Sequence, residues 1–297
     1  MKIYDCFMFS DEKMLLDIRL NSLKNFVDRF VIAEANYFHN GAPKKLNFDI
    51  NDFPKFRDKI KYIVVDKQPE NIFLENKKDS FEKKEEKKIL NSIMRDNFQR
   101  EQLSHGLENI EMNDWIIIND LDEIPNLENL DFNKFNNEIL IFKQKMFYYK
   151  FNLNYENFIW YGSKAVQKKS FISPQWLRDI KNKKYSSWRI DTFFSKNKKR
   201  NIKFIENGGW HFTCIKSPEE IHKKLLSFAH HQDYEDSKIT LDQLKDKINK
   251  KKVLYDHSKD KSQKNKWLSN ESLKKVNLET LPTFIINNKS KYKQWLD

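Results

Sequence analysis

Only two of the 297 residues, Cys6 and Cys214, are cysteines, and only five are glycines. Two thiols are too few for a disulfide framework or a cysteine-based zinc site, and they fit a reducing compartment such as the cytoplasm. With so few glycines the chain has no phosphate loop of the Walker or the dinucleotide-binding type, which excludes P-loop kinases and nicotinamide dehydrogenases. Long apolar runs are also missing. No window approaches the roughly 18 apolar residues of a membrane span, and the amino terminus has no basic-then-apolar leader. The expected protein is soluble, or at most peripheral at a membrane.

What the chain has in quantity is phenylalanine, with 24 copies, and lysine, which brings the net charge to +12. The phenylalanines predict an aromatic-rich core. The lysines are scattered and interleaved with acids, as in Phe81-Glu-Lys-Lys-Glu-Glu-Lys-Lys88. That is the pattern of solvated helix faces, so no nucleic-acid partner is expected. The basic balance suits anionic sugar nucleotides or an anionic membrane face instead.

Strand and helix signals alternate through the first third. Ile3 to Phe9, Phe30 to Ala33, Tyr62 to Val65 and Trp115 to Ile118 read as strands. Ser10 offers an N-cap to a helix over 11–27, in which Leu15, Ile18, Ser22 and Phe26 share a face. A second helix is predicted over 80–108, with Ile89, Ile93, Phe98, Gln102 and Leu103 inward. This βαβ order predicts an α/β fold with a Rossmann-like, mostly parallel sheet flanked by helices. Beyond it, Ile139 to Asn152 reads as one long antiparallel strand bending around a site, 217–256 as helix, and 257–297 as a polar tail anchored by Trp267, Phe284 and Trp295. The organisation expected is one domain over 1–240, with a nucleotide-binding half (1–125) and an acceptor-side half (126–240), then a lysine-rich helical C-terminal extension over 241–297.

The most loaded stretch is Asp114-Trp-Ile-Ile-Ile-Asn-Asp-Leu-Asp-Glu-Ile-Pro125. A continuous apolar strand runs straight into Asp120, Asp122 and Glu123, and Pro125 ends it. Ligands of open α/β sheets bind beyond the carboxyl ends of the strands. Two carboxylates one residue apart in that place can hold a hard divalent cation that also takes phosphate oxygens; on a plain turn they would simply be solvated. The second stretch is Asn207-Gly-Gly-Trp-His-Phe212. Here His211 offers either an imidazole ligand or a packed core histidine, and Lys216 can neutralise a diphosphate. Glu34, at the carboxyl end of the second strand, is a candidate for ribose or base, and Asp5, inside the first strand, either touches the base or satisfies the backbone. Arg95 and Arg100 could reach a diphosphate from the helix before the acidic strand. His230 and His231 suit a site edge or a solvated turn.

These segments together resemble glycosyltransferase family 17, which includes the β-1,4-mannosyl-glycoprotein 4-β-N-acetylglucosaminyltransferases. The matching stretches are Ile3-Tyr-Asp-Cys-Phe-Met-Phe9, Phe30-Val-Ile-Ala-Glu-Ala-Asn36, Gln99-Arg100 ahead of Gly106-Leu107, Asn119-Asp-Leu-Asp-Glu-Ile-Pro125, Gly209-Trp-His-Phe212 and Lys224-Leu-Leu-Ser-Phe-Ala-His230. They lie in the family's order over roughly the first 230 residues. The family's usual Ser-Asp-Val-Asp-Glu is Asn119-Asp-Leu-Asp-Glu here, a conservative departure.

The resemblance implies a GT-A fold, inverting transfer from a UDP-sugar, most often UDP-N-acetylglucosamine, to a glycan acceptor, and Mn²⁺ or Mg²⁺ held by Asp120 and Asp122. By analogy with other GT-A enzymes His211 is a third ligand. The donor set expected is then Asp5, Glu34, Arg100, Asp120, Glu123 and Lys216. Asp191, Glu206 and Asp233 are the candidate bases for the acceptor hydroxyl. Trp160, Trp176, Trp188 and Trp210 either stack on sugar rings or fill the core. A metal-dependent nucleotidyltransferase or phosphohydrolase could use the same acidic strand end. A non-enzymatic basic glycan- or nucleic-acid-binding module would not need it.

Overall fold

The computed structural model describes residues 1–185, 195–227, 237–257 and 271–297, together with Tyr234, Trp267 and Ser269. Strands β1 (Ile3–Met8), β2 (Arg29–Ala35), β3 (Ile60–Val65) and β4 (Trp115–Asp120) run parallel in the order β3-β2-β1-β4. Helix α1 (Lys13–Leu23) joins β1 to β2, and helix α2 (Phe81–Glu101) precedes β4. The apolar run Trp115–Ile118 is wholly inaccessible to solvent. Trp115 and Ile117 pack with Phe7 and Leu16 on one side, and Ile116 and Ile118 with Leu103 and Leu177 on the other. That two-sided burial is why the strand shows no alternation in sequence.

Residues 139–152 do not form one strand. Strand β6 (Ile139–Phe142) stays in the first sheet, and β7 (Gln144–Tyr148) begins a second sheet after the crossing at Lys143. The first sheet is completed by β9 (Lys164–Gln167), antiparallel to both β4 and β6, and by β10 (Ile202–Ile205), parallel to β6. The second has the order β12-β8-β7-β11-β5, with β5 (Glu123–Pro125), β8 (Leu153–Trp160), β11 (Gly209–Thr213) and β12 (Lys274–Lys275). Gly209 sits at φ 125°, where a side chain on it would overlap the Ile124 carbonyl, so glycine permits β11 to close on β5. Helices α3 (Pro174–Asp179), α4 (Pro218–Ser227), α5 (Leu241–Asn249) and α6 (Thr283–Asn287) complete the described helices.

Three sequence expectations need correction. Ser10 does not cap α1, which starts at Lys13; the Ser10 carbonyl instead accepts from the Asn47 amide at 2.7 Å. The inner face of α2 is polar: Asn91, Ser92, Arg95, Gln99 and Arg100 are its buried residues, while Ile93 is exposed. The stretch 241–297 is no peripheral helical tail. It adds β12 beside β8, and Leu281, Ile285 and Tyr292 are buried in the same cluster as Phe7 and Trp115. Trp267 is buried in a third cluster with Leu244, Tyr148 and Tyr234. A few large apolar side chains among many lysines were enough to draw the segment in.

Beneath the end of β4 lies a charge pair with no solvent exposure. Arg19 of α1 donates to both oxygens of Asp5 on β1, at 2.7 and 2.6 Å. Its third nitrogen reaches the carbonyls of Asp120, Leu121 and Glu123 at 3.2, 3.2 and 2.7 Å. Asn119 adds a 2.6 Å bond to Asp5. Removing one member leaves the other charged and buried. Arg19→Met is therefore expected to lower unfolding free energy by about 3–5 kcal/mol in urea titration, with part of the loss recovered by adding Asp5→Asn.

Candidate active site

The acidic turn connects the two sheets: Asp120 ends β4 in the first and Glu123 opens β5 in the second. Its carboxylates do different jobs. Glu123 is fully buried. It accepts from the Asp120 amide (2.9 Å), the Trp160 indole (2.6 Å) and both terminal nitrogens of Arg178 (2.7 Å each). Asp120 is gripped by two guanidiniums, Arg178 at 2.6 Å and Arg100 at 3.1 Å. Burial works to raise the Asp120 pKa, but Arg178 and then Arg100 outweigh it and hold the carboxyl below the usual carboxylate range. Arg100 is fixed in turn by Asp96 (2.9 Å) and Gln175 (2.7 Å). Arg178 also donates to the Gly162 carbonyl at 2.7 Å, and a side chain at Gly162 would overlap the Glu123 carboxylate.

Asp122, between these two, turns the other way. Its carboxylate lies 3.5 Å from His211 Nε2 on β11, and its carbonyl accepts from the Phe212 amide at 2.8 Å. β11 pairs antiparallel with β5, placing His211 opposite Glu123. The His211 ring stacks on Trp160, with centroids 4.6 Å apart and planes 26° apart. Its Nδ1 is buried with no hydrogen-bond partner among the described residues. The structure thus brings together Asp122 and His211, while Asp120 is committed to its arginines. Among the described residues no group of three or more His, Cys, Asp or Glu side chains is arranged to hold a metal ion.

The remaining candidates sort by position. Asp5 and Glu34 are fully buried and support the site from below. Asp5 serves Arg19 and Asn119, and Glu34 holds the 44–48 loop through Lys44, the Asn47 and Phe48 amides and the Tyr62 hydroxyl. Lys216 pairs with Asp11 at 2.6 Å. Lys224 of α4, which was matched only as part of a motif, donates to Glu12 at 2.9 Å. Burial works to lower the Lys224 pKa, but Glu12 and then Asp122 raise it overall, so the ammonium is firmly charged beside Asp122. Arg95 bonds Gln68 and the His39 carbonyl, away from the acidic turn. Glu206 is largely exposed and pairs with Lys143 at 2.6 Å. Asp191, Asp233, Trp188, His230 and His231 lie outside the described residues. Trp176 is a core residue whose indole donates to the Lys196 carbonyl. Sequence reasoning missed Arg19 and Arg178, since neither carries a local signature.

The sequence model of glycosyltransferase family 17 matches residues 1–297. The chain belongs to glycosyltransferase family 17. Among curated family relatives, the β-1,4-mannosyl-glycoprotein 4-β-N-acetylglucosaminyltransferase of Rattus norvegicus is 28% identical over 128 residues, 42% of this chain and 22% of the relative. The Homo sapiens protein of the same name is 30% identical over 115 residues, 37% of this chain and 19% of the relative. The matched part therefore spans about a fifth of these relatives' own length. Among solved structures, HddC from Yersinia pseudotuberculosis complexed with GMP-PN aligns at a TM-score of 0.31 and 12% identity, over 69% of this chain and 90% of that one. A likeness that low carries no weight for the fold. No helix among the described residues is long and apolar enough to cross a membrane.

Edge-on to Trp160 lies His257, whose Nε2 meets the Tyr148 hydroxyl. Burial, and secondly the nearby His211, push His257 down from 6.5 to about 3, with Asp256 opposing. The folded chain thus refuses a proton that the unfolded chain accepts. Stability from this group is complete above pH 6.5 and is lost as pH falls from 6.5 toward 3. The slope can reach about 1.4 kcal/mol per pH unit. His257→Gln should flatten the urea-unfolding dependence on pH between these values; an unchanged slope would refute this account. Arg178→Gln strands the buried Glu123 carboxylate, so its unfolding free energy should fall by about 3–5 kcal/mol at neutral pH in the same assay.

Proposed function

We propose that the chain is an inverting glycosyltransferase of GT-A type that moves N-acetylglucosamine from a UDP-sugar to a hydroxyl of a glycan acceptor. Family membership and the names of the rat and human relatives support the transfer and the sugar. The parallel order β3-β2-β1-β4 with an acidic turn beyond β4 supports the fold type and a nucleotide at the strand ends. The observation that carries the reading is the meeting, at 3.5 Å, of Asp122 on the turn between the two sheets with His211 on β11, beside a charged Lys224.

The two side chains fit a divalent ion such as Mn²⁺ or Mg²⁺. Neighbouring ligands in an octahedron of ~2.1 Å bonds lie about 3 Å apart, close to the pair's separation. His211 also has an orphaned Nδ1 that shows its ring is not tied into the core by hydrogen bonds. Asp122 and His211 would hold the ion, and phosphate oxygens and water would complete its shell. When bound, it supplies Lewis-acid stabilisation of the departing UDP. Asp120 and Glu123 play a different part: clamped by Arg100 and Arg178, they fix the backbone that presents Asp122. Lys224 and Lys216 add positive charge on the same side, where the leaving diphosphate gains negative charge. The Trp160 ring walls off one side of His211. A carboxylate of the acceptor-side half takes the proton of the attacking hydroxyl.

Asp122→Ala should cut UDP-N-acetylglucosamine turnover in Mn²⁺ by roughly a hundredfold or more without changing the circular dichroism spectrum. His211→Ala should raise the Mn²⁺ concentration needed for UDP binding by roughly 10–100-fold. Normal turnover by Asp122→Ala would sink the reading. Release of inorganic phosphate or pyrophosphate without sugar transfer would favour a phosphohydrolase or nucleotidyltransferase.

A further inference from the structure

On strand β11 the residue before His211 is Trp210, and consecutive strand residues point to opposite faces. Trp210 therefore looks away from Asp122, into a cleft of about 280 Å³ between the end of α1, the turn after β5 and α6. The volume is near the lower end of small-ligand sites, ~300 Å³. That suits a sugar unit or two better than a whole sugar nucleotide.

The lining is unusual for this chain. Although the net charge is +12, Lys24 and Glu128 are the only charged residues at the cleft wall among the described residues. Glu128 is already occupied by the Thr283 hydroxyl at 3.0 Å. Amide side chains come from three separate elements, Asn25 at the end of α1, Asn126 after β5 and Asn287 on α6. The rings of Phe26, Trp210 and Phe284 rest on the core with their other sides free to line the cleft. Trp210 is held rigid, its indole donating to the Thr280 carbonyl at 2.7 Å. Ser22 also lines the cleft, and its inaccessible hydroxyl oxygen has no hydrogen-bond partner among the described residues.

We propose that this cleft is a binding site for a neutral saccharide, separate from the Asp122–His211 site and on the opposite face of the second sheet. A pyranose presents apolar C–H faces, which rigid aromatic rings cover, and a rim of hydroxyls that both donate and accept. Asparagine amides answer both needs in one group. The near absence of charge at the wall disfavours nucleotides, phosphates and anionic sugars, which would gain no compensation for losing water. The site goes beyond the transferase reading and needs neither a metal nor a nucleotide donor.

The test is calorimetric titration of the full chain, without metal or nucleotide, by a β-linked N-acetylglucosamine disaccharide and by a mannose disaccharide. One of them is expected to bind with a Kd in the millimolar range. Asn287→Trp and Asn25→Trp, substitutions of exposed residues at two walls, should each weaken binding by roughly tenfold, while Asp122→Asn should change it by less than about twofold. Absence of binding by both sugars to the folded wild type would overturn the proposal. So would binding that Asp122→Asn abolishes and both tryptophan variants retain, since that sugar would be sitting at the transfer site. Because no turnover is measured, failure here leaves the transferase reading standing, and failure of that reading leaves this site standing.

Discussion

The Arg19 guanidinium is the point on which the acidic turn rests. It neutralises Asp5 inside the first sheet and spends its remaining donor on three successive-turn carbonyls, those of Asp120, Leu121 and Glu123. A backbone that must leave one sheet and enter another within three residues exposes carbonyls that no strand partner can satisfy. A single buried cation satisfies them, and the carboxylate on β1 makes that cation tolerable in the interior. Asp122 is presented where it is because this support fixes the main chain on either side of it.

A second layer of charge lies above the turn. Arg100 and Arg178 converge on Asp120, and Arg178 continues to Glu123. Lys164 donates to the Arg178 and Ile180 carbonyls at 2.6 Å, holding the end of α3 so that Arg178 stays in reach. The polar inner face of α2 belongs to the same scheme. A helix that covers strand ends carrying charge must offer Arg100 and Gln99 there, and Leu90 and Ile93 are left exposed. The cluster is thus rigid on the Asp120 and Glu123 side and open on the Asp122 side. The proposed cation and diphosphate would enter on that open side.

The parallel half of the fold was legible because its strands are apolar throughout and its turns carry acids at the carboxyl ends. Trp115–Ile118 and the Asp-Leu-Asp-Glu stretch could be placed with the correct polarity from their order alone. The sheet crossing at Lys143 was not legible, since β6 and β7 follow one another with only Lys143 between them, no glycine or proline marks the break, and only their partners, β9 and β10 against β8 and β11, differ. Likewise Asp5 inside β1 and Glu34 near the end of β2 looked available, yet each is consumed by a cation brought from a helix or loop: Arg19 or Lys44. Arg178 had no signal at all. Its role depends on where β9 inserts, which is a fact of topology and not of neighbouring residues. Trp267, expected as an anchor of the lysine-rich tail, is indeed buried, whereas Tyr292, buried in the main core, was not singled out.

The seam between the sheets has a bearing on how this chain tolerates change. Asp122 and His211 are separated by 88 intervening positions (211 − 122 − 1), and they meet where the short antiparallel ladder of β5 with β11 lies beside the parallel pairing of β11 with β7. Those positions include β6 to β10 and α3, with Trp160 and Arg178 of the site among them, so length can vary only in the loops that join these elements. A shift of one residue in that ladder is another matter. It would exchange Trp210 with His211, put an indole against Asp122 and send the imidazole to the far face. The register of three paired residues is therefore the most sensitive piece of geometry in the molecule, and Gly209, which no other residue can replace without overlapping Ile124, is what pins it.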